Sequence, residues 1–403
     1  MDIAITVIII GAILFLAHFF SYLFEKTSIP DVLLLFLIGV LLGPVTGIID
    51  TEVFGETGKV FAVVTLTVIL FESGLSVPIK SLLKSFGKAV LFSLLTFVGT
   101  VTIITFLSKI VFGISYFKGF MVGALLWGTA SGIVIPLLKK IEVTQETRTV
   151  LNLESNIDDI LSIVLIFGVL EASKVGGLSV ADFARKFGIT LFSSLVIGGV
   201  GAAVWIPLLK EVRKMKNTLF TTPAFVLLLY GIAELAQGNG ALSVLAFGIT
   251  FGNLGKKPEE SLPEGDKKLG GFRLTGAEKS FFSSLVFLLK TYFFVYMGIS
   301  MNIKASFLLW GALVTLLLFL VRGAITEILF RDTIPQFDRD VIKFMLPKGL
   351  TGMAILALIG DPLLNDISYP IVLFSILFTS LSLFFIRRGK KNLQKNMRAV
   401  PYS

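Results

Sequence analysis

The sequence predicts an all-α polytopic membrane protein of about thirteen transmembrane helices, and three observations carry that prediction. Of its 403 residues, 55% are hydrophobic and only 16% charged, against about a quarter charged in a soluble globular chain. Mean hydropathy is +0.89. Apolar runs able to cross about 30 Å of hydrocarbon, at about 20 residues each, recur along the whole chain. The same composition narrows the chemistry. There is no Cys, which removes disulfides, thiolate metal sites and cysteine nucleophiles. A single His, His18, removes multi-histidine metal sites and argues against Ser–His–Asp catalysis. No GxxxxGK[ST] run occurs, so nucleotide-driven transport is not expected. The chain is read as a non-enzyme without a cofactor, and its 38 Phe as lipid-facing and packing side chains with no role in nucleic-acid binding.

The spans fall at 3–23, 31–49, 59–78, 89–112, 119–138, 149–170, 187–209, 219–237, 240–255, 280–300, 305–330, 344–361 and 368–386. The first is expected to be a true span and not a cleaved leader, because Met1-Asp2-Ile3 is not a basic n-region. The ninth is short, and fusing it with the eighth would invert everything after it. Charge decides between these counts. The net charge is +9, and thirteen crossings gather most Lys and Arg on one side, including Lys80, Lys84, Lys88, Lys139, Lys140, Lys210, Arg213, Lys214 and the basic C-terminus. The positive-inside rule therefore places the N-terminus outside and the C-terminus in the cytoplasm of a plasma (inner) membrane. Residues 1–386 read as one transmembrane domain. The 255–279 stretch is a charged loop, and 387–403 is a short basic tail suited to anionic lipid.

Ionisable groups inside spans are costly and suggest a site. The sixth span carries Glu154-Ser155-Asn156-Ile157-Asp158-Asp159. At about 100° per residue, Glu154 and Asp158 share one face, and Ser155 and Asp159 share the adjacent one. Hard oxygens of this kind suit a small hard cation, for which a proton competes, and competition at Asp159 and Asp158 is the chemistry of an antiporter. Three bases also lie within spans: Lys290, Arg322 and Lys348. Arg322 is expected to be a fixed counter-charge to Glu154 or Asp158, and Lys348 an adjustable one; for Lys290 the readings are pairing with a stray acid, snorkelling, or a part in transport. Gly, Pro and hydroxyl residues interrupt the fifth span, at Trp127-Gly128-Thr129-Ala130-Ser131-Gly132-Ile133-Val134-Ile135-Pro136, and the twelfth, at Pro347-Lys348-Gly349-Leu350-Thr351-Gly352. Interrupted helices are tolerated where they line a cavity, and a pair in corresponding halves points to a transporter's midplane site. Glu72 reads as either structural or cation-attracting, Glu234 as facing the outer surface, and His18 as a packing or lipid-interface residue.

Ile29-Pro30-Asp31-Val32-Leu33 through Gly43-Pro44, Leu70 to Leu75, Glu154-Ser155 with Asp158-Asp159, Phe293-Phe294-Val295-Tyr296-Met297-Gly298, and Pro347-Lys348-Gly349 follow one another in order along the chain. As a set they resemble the motifs of monovalent cation/proton antiporters, the sodium/hydrogen exchanger family. The resemblance implies inverted repeats with a pair of crossing broken helices. It also implies a homodimer in which a core bundle around 119–170 and 305–361 moves against the remaining spans. It makes Asp159, with Asp158, the cation- and proton-binding carboxylate, places Thr129 and Ser131 in the crossing segment, and sets Arg322 against the acidic helix. The expected ion-binding set is thus Asp159, Asp158, Ser155, Thr129 and Ser131, with Glu154, Arg322 and Lys348 compensating charge. The adjacent aspartates resemble the electrogenic branch, whereas Arg322 with Glu154 resembles the electroneutral one, and Lys348 stands where the family commonly has Arg. The expected function is exchange of protons for Na⁺, with Li⁺ or K⁺ as alternatives; a cation channel and an organic-anion symporter are the competing classes.

Overall fold

The computed structural model describes residues 3–27, 29–49, 55–77, 86–173, 180–216, 218–254 and 274–399. Among these residues the chain forms fifteen α-helices and no strand beyond one isolated bridge. They are α1 (Ile3–Thr27), α2 (Asp31–Val40), α3 (Gly55–Ser76), α4 (Phe86–Phe112), α5 (Tyr116–Trp127), α6 (Ser131–Leu138), α7 (Gln145–Ser173) and α8 (Val180–Val212). After these come α9 (Thr221–Leu235), α10 (Gly240–Leu254), α11 (Gly276–Ile299), α12 (Ala305–Phe330), α13 (Gln336–Phe344), α14 (Leu350–Ile359) and α15 (Pro362–Ala399). Seven helices are long and apolar enough to cross a membrane. With α5–α6 and α13–α14 each taken as one interrupted passage, the described helices make the thirteen passages expected. Only helices or closed barrels satisfy their own backbone in hydrocarbon, which is why such a sequence resolves into helices.

The short ninth passage is separate from the eighth. The chain turns after α9 at Gln237, whose φ is 56°, and Glu234 Oε1 accepts the Gly240 N–H at 2.7 Å to cap α10. Two boundaries differ from expectation. The twelfth passage begins well before 344, because the charged segment that reads as a loop is helix α13. Its Asp338 is buried and accepts from the Thr144 N–H at 2.8 Å and the Thr144 hydroxyl at 2.6 Å, just before the start of α7. The basic tail expected from 387 continues α15 as far as Ala399. Pro362 suits the first turn of that helix, and the Lys and Arg beyond Ile386 are compatible with a helix and favoured by its C-terminal dipole.

The helices fall into two compact units, one of Met1–Phe54, Ser85–Asp159 and Thr291–Ser403, the other of Gly55–Lys84 and Ile160–Lys290. In the first, α4 packs along α5 and α12, α12 along α15, and α2 crosses the end of α11. That crossing is very close. A Cβ on Gly39 would lie 2.1 Å from Val295 O, and one on Gly298 would lie 2.2 Å from Phe36 O. Gly39-Val40-Leu41-Leu42-Gly43 is thus a small-xxx-small face that lets two backbones touch. Beyond it the helix continues as a single π turn, Leu41–Val45, containing Pro44, whose missing N–H the wider turn accommodates.

In the second unit α10 lies against α3 and α8. Phe71 is central, with the rings of Phe247 and Phe282 each 5.2 Å from it between centroids. The start of α11 is fixed by a capping box: the Thr275 N–H donates to Glu278 Oε2 at 2.7 Å, and the Glu278 N–H donates to Thr275 Oγ1 at 3.2 Å. Arg213, just beyond α8, adds a buried bond from Nη2 to Glu278 Oε2 at 2.6 Å.

Gly39→Ala or Gly298→Ala should lower the apparent unfolding temperature in detergent, with overpacking costing about 1–3 kcal/mol. Gly188→Ala, on an exposed stretch of α8 with nothing within 4 Å of the added methyl, should leave it unchanged or raise it by up to about 1 kcal/mol. Equal melting curves for all three variants would refute the close crossing.

Candidate functional site

The site grows from the two breaks in the first unit. α5 ends at Trp127, and both Gly128 (φ −61°, ψ 147°) and Ala130 (φ −69°, ψ 104°) are extended before α6 starts at Ser131. α13 ends at Phe344, and the chain regains the helix only at Leu350. The freed peptide groups find each other: the Ala130 N–H donates to Pro347 O at 2.8 Å, and Thr129 and Lys348 form an antiparallel bridge. The Lys348 N–H is taken by Ser375 Oγ at 2.9 Å. α14 then runs so close to α5 that a Cβ on Gly352 would lie 2.2 Å from Leu125 O.

α7 brings its acids to these breaks. Glu154 is fully buried and meets Arg322 of α12, itself 2% exposed, through two bonds: Nη1 to Oε1 at 2.5 Å and Nη2 to Oε2 at 2.8 Å. The remaining face of the guanidinium is satisfied too, since Nε donates to Ile342 O at 2.8 Å and the group sits 4.8 Å from the centre of the Phe92 ring. A bidentate pair with both ions fully hydrogen-bonded is the geometry a buried charge requires. Of the two partners the sequence offered to Arg322, the structure selects Glu154.

Asp158 turns toward α4 and the first break. Its Oδ1 accepts the hydroxyl of Ser93, and its Oδ2 accepts the Thr129 N–H at 3.2 Å and the Thr129 hydroxyl at 3.4 Å. Asp159 turns toward the N-terminus of α6, where its Oδ2 accepts the Ser131 hydroxyl at 2.6 Å. The positive end of a helix dipole lies there. Asp159 retains 8% exposure, whereas Asp158 has 1% and Glu154 none, so Asp159 is the least enclosed of the three acids.

Other expected residues are placed differently. Ser155 is buried, but its hydroxyl donates back to Asn152 O at 3.2 Å and so is turned away from the aspartates; a hydroxyl in mid-helix readily takes this local bond. Lys348 is fully buried, and its ammonium donates to Trp127 O, the last carbonyl of α5, at 2.7 Å. It therefore neutralises a helix C-terminus, with Asp158 and Glu154 acting on it electrostatically. Lys290 and Glu72 both belong to the second unit, where Glu72 lines a cavity of about 480 Å³ with Ser76, Phe251 and Lys279 and is acted on by Lys290. His18 is exposed, with Nδ1 2.9 Å from Leu14 O.

Ser93 was not anticipated. A lone Ser in an apolar helix is a faint signal, although Ser93, Thr96 and Thr100 form a buried hydroxyl stripe on one face of α4. Among the described residues no group of three or more His, Asp or Glu gathers to cage a metal. What the breaks offer is two carboxylates and a few hydroxyl and backbone groups, a set of hard oxygens with little charge.

Paired discontinuous helices against an acidic helix define a polytopic membrane protein of the carrier type. The family model described as "Sodium/hydrogen exchanger, transmembrane" matches residues 11–388, and the chain belongs to that family. Similar curated proteins include the K(+)/H(+) antiporter NhaP2 of Shewanella sp. (strain MR-4), 25% identical over 241 residues, 57% of this chain and 40% of that protein. Another is Na(+)/H(+) antiporter 1 of Methanocaldococcus jannaschii, 26% identical over 181 residues, 43% of this chain and 42% of that one. The matched region thus spans about two fifths of the length of these relatives. The solved structure of the sodium proton antiporter MjNhaP1 from M. jannaschii at pH 8 superposes with a TM-score of 0.72 at 21% identity, covering 98% of both chains, and shares the fold.

Glu154→Gln removes one partner of the buried pair and leaves Arg322 uncompensated, so it should cost about 3–5 kcal/mol and show as a large drop in thermal stability in detergent. The double variant Glu154→Leu with Arg322→Met should recover most of that loss. A single variant as stable as the parent would refute the pairing.

Proposed function

We propose that the protein exchanges protons for monovalent cations, Na⁺ first and Li⁺ or K⁺ as alternatives, by alternating access, with H⁺ and the cation competing for Asp159. One observation carries this reading: the guanidinium beside the acids is engaged by Glu154, while Asp159, the least enclosed of the three acids, accepts from the neutral Ser131 hydroxyl. A carboxylate held by a neutral donor can exchange that contact for a cation or a proton, which one locked to Arg cannot do. Membership of the exchanger family supports the reading.

In this scheme Thr129 and Ser131 supply hydroxyl oxygens at the break, and Asp158, fixed by Ser93 and Thr129, supplies a second carboxylate. Ser155 takes no direct part. Arg322 and Glu154 act as a neutral strut. The unit containing the breaks carries the ion, two copies of the chain form the working dimer, and the N-terminus is outside and the C-terminus in the cytoplasm of the plasma membrane.

Reconstituted in vesicles with a pH gradient, the wild type should show Na⁺-dependent proton movement. Asp159→Asn should reduce it to background, and Ser131→Ala should raise the half-saturating cation concentration several-fold. Full exchange by Asp159→Asn would overturn the assignment. Currents far above carrier turnover and independent of the pH gradient would make the protein a channel instead.

A further inference from the structure

A second polar cluster lies in the first unit, apart from the acids of α7, where the end of α11 meets the start of α15. Asp366 Oδ2 accepts the Asn302 side-chain amide at 2.9 Å. One turn on, Tyr369 is fully buried, its hydroxyl has no hydrogen-bond partner among the described residues, and the ionisable groups acting on it are Asp366 and Tyr296. Ser368 is also fully buried with an unpartnered hydroxyl, and the Asn365 side-chain oxygen and the Ser300 hydroxyl are buried without partners as well. Asn365, Tyr369 and Asp366 fall within an arc of about 100° on α15, by the 100° step of a helix.

Buried polar atoms in native proteins are nearly always satisfied, so the orphaned oxygens of Asn365 and Tyr369, on the arc of α15 that carries Asp366, point to an occupant. The donor set says which kind. The orphan on Asn365 is a carbonyl oxygen, which only accepts, and hydroxyls can accept as well. On one arc with the Asp366 carboxylate, the Asn365 and Tyr369 oxygens make an all-oxygen, singly negative set, which fits a hard monovalent cation and repels an anion. Lys304, the base facing Asp366, is exposed, and its charge is screened by solvent. Asp361, just before α15, is already paired with Lys118 at 2.7 Å.

We propose that Asp366, Tyr369 and Asn365 form a second monovalent-cation site, distinct from the one at Asp159. It lies near the Lys118–Asp361 end of the first unit, which the proposed orientation places outside. The cation it takes, though not the existence of the site, rests on the exchanger reading. Its role is to hold the ion in a partly dehydrated state at the outer entrance before or after its passage.

Crystals of the full chain soaked in Tl⁺, which substitutes for alkali ions and scatters anomalously, test this directly. The expected result is a peak against Asp366 and Tyr369 in addition to one at Asp158 and Asp159, with the Asp366 peak alone lost in the near-isosteric Asp366→Asn. A peak at Asp159 with none at Asp366 would overturn this proposal and leave the exchanger reading standing. A peak at Asp366 alone would do the reverse. In vesicles, Tyr369→Phe, which deletes one oxygen, should raise the half-saturating external Na⁺ concentration several-fold with little change on the internal side. An equal shift on both faces would also overturn the proposal.

Discussion

A helix that breaks inside hydrocarbon frees peptide groups that lipid cannot satisfy, and everything at this protein's site follows from how two breaks solve that problem for each other. The Ala130 N–H reaches Pro347 O, and Thr129 pairs with Lys348 across the gap. That pairing holds Thr129 against Asp158 and Ser131 against Asp159. It also brings the Lys348 side chain under the last carbonyl of α5. Pairing the breaks through backbone makes the arrangement depend little on side-chain identity. The hydroxyls lining it are then left for chemistry.

Charge is distributed around this frame in a definite order. Glu154, Asp158, Asp159, Arg322 and Lys348 are buried around the breaks and the middle of the acidic helix. Arg322 closes on Glu154 with both forks and needs nothing further. Lys348 faces a carbonyl. The two aspartates are therefore left with hydroxyls and an amide N–H as partners. A buried ion pair of this quality adds little net stability compared with apolar residues of the same shape. Its effect is to fix α7 against α12, so that the aspartates have a constant orientation toward the breaks.

Much of this was legible in the sequence, and the parts that were not share a cause. Thirteen passages, the separation of α9 from α10, and the interruptions at Gly128 and Pro347 all follow from hydropathy, charge and Gly/Pro placement, which are local properties. The acidic helix announced itself because charge inside a span is rare. α13 did not, since Asp338, Arg339, Asp340 and Lys343 look like a loop until Thr144 is seen bonded to the buried Asp338. The continuation of α15 past Ile386 was hidden in the same way, by charges that end a membrane span without ending a helix. Ser93 and Ser155 were hard to place from the sequence for a different reason. A hydroxyl's role depends on which partner is within reach, and Ser155 had Asn152 O on its own helix while Ser93 met Asp158 from another. Spacing along one helix cannot distinguish these.

The tether from Lys348 to Trp127 O has a mechanical consequence. A peptide oxygen carries no proton to gain or lose, so whatever varies in this anchor varies on the lysine side, where Asp158 and Glu154 act on the ammonium. Fastened to the main chain, the lysine ties the end of α5 to the second break, so the joint between the two interrupted passages feels the charge held on the acids of α7 without touching them.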